Sequence, residues 1–105
     1  MRRLSLSDPT ELISTQGAGL NCIFIAVGYR VGVYGFLASD ELAEEGECGN
    51  YGLWDQWEAL KWVERYAPAM GGDLTRVTLA GMSAGAYSVH AQAVSKFGPG
   101  GAVKG

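Results

Sequence analysis

The sequence is short of most residues that mark a specialised chemistry. It holds one histidine and two cysteines in 105 residues. Cys22 and Cys48 are too few for a disulfide scaffold and lack metal-ligand spacing, so they read as free thiols. Nothing calls for a cofactor or a metal. Basic residues are also scarce, 8 Lys and Arg against 11 Asp and Glu, for a net charge of −3. No basic face is left to neutralise a phosphate backbone, which excludes nucleic acid as a partner. Long apolar runs are missing too. The strongest, residues 22–28, is far short of the roughly 20 residues that a membrane span needs. Arg2 and Arg3 begin the chain with positive charge, but Asp8, Pro9 and Glu11 interrupt any apolar stretch of signal-peptide length. The compartment stays unknown.

What is present is globular in character. Hydrophobic residues make up 48% and charged residues 18%, which argues against disorder. Glycine is abundant at 16 residues, a sign of tight turns and close backbone approaches. The length is about one small domain. Such a chain buries only roughly 60–70% of its unfolded surface and tolerates little missing structure.

Local patterns predict an alternating order. Residues 7–11 can start a short helix, capped by Ser7 or Asp8 with Pro9 in its first turn, running through Leu12 and Ile13 toward Gly17. Residues 22–27 form a continuous β-branched and aromatic run, as in a strand buried on both faces; a short core helix competes with that reading. Residues 28–50 read as a long connection, with a helical turn near 39–45 whose acidic run is a solvated face. Residues 53–66 have the helical period through Leu53, Trp57, Leu60 and Val63, and Pro68 sets the stop. Core packing explains Trp54, Trp57 and Trp62 better than a sugar platform does. Residues 76–80 read as a second strand, 81–85 as a sharp turn, and 84–96 as a second long helix. The tail, residues 97–105, breaks structure and frays. Alternating strands and helices predict an α/β fold with two parallel strands and flanking helices. Two strands cannot cover both faces of a sheet, so the architecture reads as part of something larger.

One motif carries chemistry. Gly81-Met82-Ser83-Ala84-Gly85 matches G-x-S-x-G, a weak signal alone. Its setting, an apolar strand entering and a helical pattern leaving, is the one a nucleophile elbow requires. In that reading Ser83 is the nucleophile, held in a strained backbone. Gly81 and Gly85 remove side chains where strand and helix approach, and the Ala84 N–H at the helix start donates to an oxyanion. The competing reading is a Gly-rich turn with a helix-capping serine. A nucleophilic serine needs a base within hydrogen-bond reach. His90 would lie about 10 Å along the same helix from Ser83, too far to serve.

Several blocks together resemble the type-B carboxylesterase family, which includes cholinesterases and fungal lipases. Residues 28–37, GYRVGVYGFL, resemble NYRLGxxGFL. Residues 49–56, GNYGLWDQ, resemble GNxGLxDQ, and residues 59–63, ALKWV, resemble ALRWV. Residues 70–79, MGGDLTRVTL, resemble FGGDPxxVTL, and residues 81–85 resemble GESAG. The match is strong over 22–94 and weak over 8–21. It makes residues 1–105 a partial carboxylesterase domain. Departures are Gly28 for Asn, Leu74 for Pro and Met82 for Glu. An unrelated thioesterase or serine peptidase would share G-x-S-x-G but not the GNYGL and GGD blocks.

The resemblance implies an α/β-hydrolase fold and hydrolysis of a small-molecule carboxylic ester through an acyl-serine intermediate. Ser83 matches the nucleophile, Ala84 supplies an oxyanion N–H, and Asp55 and Gln56 match a structural motif. The HGGG oxyanion loop, the acidic triad member and the catalytic histidine would fall outside these residues. So would the strand between the two predicted here, and the resulting open sheet edges favour self-association. The expectation is an esterase lineage inactive as this isolated chain. The alternative is a non-enzymatic truncated product or interaction fragment.

Overall fold

The computed structural model describes residues 8–14, 21–44 and 49–95. Five α-helices appear among them: α1 (Thr10–Ile13), α2 (Gly32–Phe36), α3 (Asp40–Glu44), α4 (Tyr51–Tyr66) and α5 (Ala84–Val94). Two 3-10 turns, Ala67–Met70 and Leu74–Arg76, connect α4 toward α5.

The expected pair of parallel strands is overturned. No strand occurs among the described residues, and neither 22–27 nor 76–80 belongs to a ladder. A strand exists only through its hydrogen-bonded neighbour. The two segments do not pair with each other, and no other described segment pairs with either. Residues 22–27 are exposed along their whole length, although four of them are Ile23, Phe24, Ile25 and Val27. Arg76 is drawn into the 3-10 turn instead, because the Asp73 carboxylate accepts hydrogen bonds from the Thr75 amide at 2.9 Å and its hydroxyl at 2.7 Å. The described residues are therefore helical, not α/β. Among the described residues the expected open sheet edges are absent with the sheet.

The helices were anticipated unevenly. α4 and α5 follow the helical periods, and α3 sits in the acidic run with only Leu42 withdrawn from solvent. α1 starts one residue after Pro9, with the Asp8 carboxylate accepting from the Thr10 amide at 3.0 Å. Its expected extension toward Gly17 is not made, because α1 ends at Ile13 and Ser14 is extended at ψ 149°. The Ser7 cap, Cys48 and the tail 97–105 lie outside the described residues. α2 was expected as loop.

α4 is the scaffold. Gly49 and Asn50 enter it in left-handed conformations, φ 70° and 55°, which glycine and asparagine tolerate best. The Asn50 carbonyl then accepts the Leu53 and Trp54 amides at 2.9 and 3.1 Å. At the far end Pro68 opens the 3-10 turn and Gly71 closes it at φ 83°, with the Gly72 amide on the Ala67 carbonyl at 2.8 Å.

α2 packs across the start of α4 around the Arg30 carbonyl oxygen, with the Phe36 ring against Gly52. A Cβ on Gly35 would stand 2.2 Å from the Arg30 carbonyl oxygen, and one on Gly52 would stand 2.5 Å from it. Only glycine allows both approaches. The same residue binds Asp55 of α4 three ways: the Arg30 amide at 3.0 Å, Nε at 2.8 Å and Nη2 at 2.8 Å. The guanidinium also lies over the Tyr51 ring, 5.2 Å from its centre. The GYRVGVYGF and GNYGLWDQ blocks are thus the two halves of one joint.

The apolar core is small. Among the described residues Ala67 is the only buried hydrophobic side chain. Leu53, Trp57, Leu60 and Val63 are half-buried on α4, whereas Trp54 and Trp62 are exposed, which corrects their expected place in a core. Trp54 instead meets Trp57 edge to face at 5.3 Å, and Trp62 meets Tyr66 at 5.1 Å.

Candidate active site

The segment that leads to Ser83 leaves the 3-10 turn in extended conformation, with Val77 at φ −89° and ψ 126°. It then bends sharply. The Gly85 amide donates to the Met82 carbonyl at 2.9 Å, closing a four-residue turn with Ser83 second in it. Ser83 has φ 55° and ψ −119°. Those angles belong to the second position of a type II′ turn, where glycine is the usual residue. Holding a serine there costs on the order of 1–3 kcal/mol.

The turn runs directly into α5. The Tyr87 amide bonds the Ser83 carbonyl at 3.1 Å, so Ser83 is the N-cap of the helix. Its side chain does not cap. The Ser83 hydroxyl makes no hydrogen bond among the described residues, and the residue is exposed. Ala84 is the first helical residue. Its amide belongs to the group of N-terminal donors that have no acceptor inside a helix, at the positive end of the α5 dipole.

The two glycines of the motif differ. A Cβ on Gly81 would lie 2.3 Å from the Gly85 backbone, so Gly81 is required by the close approach. A Cβ on Gly85 would meet nothing within 4 Å. Only one of the two expected collisions is therefore present.

The other polar groups are placed elsewhere. His90 is exposed on α5, seven residues from Ser83 and about 10 Å along the axis. Asp55 is engaged by Arg30, whose hydrogen bonds hold its carboxyl at about 2, below the usual 3.8. Asp73 is likewise lowered, by hydrogen bonds from the Thr75 hydroxyl and amide. No group of three His, Cys, Asp or Glu able to hold a metal occurs among the described residues. A groove between α4 and α5, lined by Asn50, Leu53, Trp54, Trp57, Ala91 and Gln92, does not include Ser83.

One arrangement was not foreseen. Gln56 and Gln92, both buried, join α4 to α5. Gln92 Nε2 donates to the Leu53 carbonyl at 2.8 Å and to Gln56 Oε1 at 3.3 Å. Gln56 Nε2 donates to Ser88 Oγ at 2.9 Å, and Ser88 Oγ donates to the Ala84 carbonyl at 3.0 Å. The available signal was the i, i+4 spacing of Ala84, Ser88 and Gln92, which places them on one face of α5.

The chain matches a family model described as the carboxylesterase family over residues 2–104. A carboxylic ester hydrolase of Gibberella moniliformis is 45% identical over 94 residues, which cover 84% of this chain and 17% of that protein. Bile salt-activated lipase of Bos taurus is 44% identical over 90 residues, covering 86% of this chain and 14% of the lipase. Acetylcholinesterase 1 of Caenorhabditis elegans is 45% identical over 75 residues, covering 71% of this chain and 12% of that enzyme. The chain spans less than a fifth of the length of each of these relatives. No solved structure matches it significantly.

Proposed function

The chain belongs to the carboxylesterase family, and we propose that Ser83 is the nucleophile of a carboxylic ester hydrolase. The observation that carries this reading is the backbone of Ser83: a non-glycine residue at φ 55°, with its hydroxyl making no cap hydrogen bond, at the start of an 11-residue helix. A serine that merely capped α5 would turn its hydroxyl onto the helix amides and would not need a strained backbone. The turn is the part of a nucleophile elbow that projects the hydroxyl.

In the proposed reaction Ser83 Oγ loses its proton to a base and bonds to the carbonyl carbon of a small carboxylic ester. The carbonyl electron pair moves onto oxygen, and the Ala84 N–H donates to the resulting oxyanion. Collapse expels the alcohol and leaves an acyl-serine, which water then hydrolyses. The base is not supplied by His90, the only histidine of the sequence, which shares a rigid helix with Ser83 at too great a distance. The 105 residues alone are therefore expected to have negligible esterase activity, because a serine without its base loses most of its rate.

The test uses a chimera in which these residues replace the aligned segment of one of the relatives. Hydrolysis of a p-nitrophenyl ester that Ser83→Ala abolishes is the expected result. Hydrolysis that survives Ser83→Ala refutes the assignment. For the isolated chain, turnover well above background that Ser83→Ala removes would overturn the expected inactivity.

A second, non-enzymatic reading is favoured by the exposed apolar segment at residues 22–27. As an interaction piece the chain would use that surface to associate, with itself or with a complementary polypeptide. Size-exclusion chromatography separates the cases: a monomer that melts cooperatively argues against the interaction reading.

A further inference from the structure

We infer that Gln56 is a positioning residue for Ser83, acting through a continuous hydrogen-bond chain that ends on the peptide group preceding the serine. The inference rests on the reading of Ser83 as nucleophile only for its purpose; the geometry is independent of it. The chain has three links. Gln56 Nε2 donates to Ser88 Oγ at 2.9 Å. Ser88 Oγ donates to the Ala84 carbonyl at 3.0 Å. That carbonyl shares its peptide plane with the Gly85 amide, which donates to the Met82 carbonyl at 2.9 Å. The Met82 carbonyl in turn shares its peptide plane with the Ser83 amide.

The direction is the same throughout, donor to acceptor from α4 toward Ser83. Each bond polarises the next, so the last one, which closes the turn, is strengthened by the first. The donor end is fixed. Gln56 is buried, and Gln92 Nε2 donates to its Oε1 at 3.3 Å while holding the Leu53 carbonyl at 2.8 Å. This leaves the Gln56 amide nitrogen as the group aimed at Ser88. Two residues 32 positions apart thus set the stiffness of a bend that holds an unfavourable φ. A helix–helix contact alone would tie α4 to the middle of α5. This chain reaches its first turn.

The experiment is amide hydrogen exchange, residue by residue, on the full 105-residue chain. In Ser88→Ala and Gln56→Leu the Gly85 amide should exchange up to about twofold faster, the loss of the roughly 10–30% by which one hydrogen bond strengthens the next. The Gly72 amide, bonded to the Ala67 carbonyl at the far end of α4, should not change. Ser88→Thr keeps the hydroxyl and should restore Gly85 to the parental rate. A packing role alone would speed exchange along the whole of α5 and would not distinguish Thr from Ala at position 88. Parental protection of Gly85 in both variants, or uniform loosening of α5, overturns the inference. If Gln56→Leu unfolds, Gly72 loses protection as well, and Ser88→Ala, which removes one hydroxyl, decides alone. Ser83→Ala should leave Gly85 protection intact, so a failure of the nucleophile reading appears only in the ester assay.

Discussion

Two helical glycines should respond oppositely to the same added methyl group. Gly52 is the second residue of α4 and Gly85 the second of α5, and neither has positive φ. Alanine at either should gain about 0.5–1 kcal/mol from helix propensity. At Gly85 nothing stands within 4 Å of the new Cβ, so the gain should be realised. At Gly52 the Cβ would lie 2.5 Å from the Arg30 carbonyl oxygen and 2.6 Å from Phe36 Cζ. The ring can swing, but the carbonyl cannot. Arg30 is fixed by three hydrogen bonds to Asp55. Gly35 crowds the same oxygen, with its own Cβ position 2.2 Å away. Overpacking costs about 1–3 kcal/mol, and against backbone that cannot give way the cost sits in the upper half of that range, so Gly52→Ala should be destabilising by a net of about 1–2.5 kcal/mol. Urea denaturation followed by circular dichroism at 222 nm measures both variants against the parent. Equal stability of Gly52→Ala and the parent, or a Gly85→Ala loss as large as that at Gly52, would refute the reasoning.

Three further outcomes follow from the same geometry. Leu74→Pro should raise stability by about 0.4–1 kcal/mol in the same assay, since Leu74 opens a 3-10 turn and Asp73 before it is already extended at ψ 110°. Ser83→Gly should stabilise the chain by up to about 1 kcal/mol, because glycine accepts φ 55° without strain; a clear loss would mean that the turn is not strained. Stability should fall in acid: the Asp55 carboxyl is held at about 2 in the folded chain against 3.8 unfolded, so its contribution is complete above pH 4 and disappears as pH drops toward 2. Urea midpoints between pH 5 and 2.5 should show this decline, and Asp55→Asn should flatten it.

The parts legible in the sequence are those set by local rules. α4 and α5 carry helical periods, and Pro68 ends the first of them where the 3-10 turn begins. The bend at Ser83 was legible because G-x-S-x-G demands a turn and the helical pattern begins right after it. α2 was not legible: glycines, Val33 and Tyr34 are poor helix formers, and the helix is held by the close approach of Gly35 to Arg30, a contact no periodicity announces. The strands failed for the opposite reason. Residues 22–27 have strong β propensity, but propensity supplies no neighbour, and an unpaired segment forms no ladder. The polar seam of Gln56, Ser88 and Gln92 joins residues 32 to 36 apart, and only the three-dimensional packing of two helices reveals it.

The Met82 carbonyl and the Gly85 amide finish their bend within four consecutive residues. The conformation of the serine is accordingly portable. A short stretch from Gly81 to Ser88, transplanted to the start of a foreign helix, should bring the bend with it and leave behind only the grip from α4.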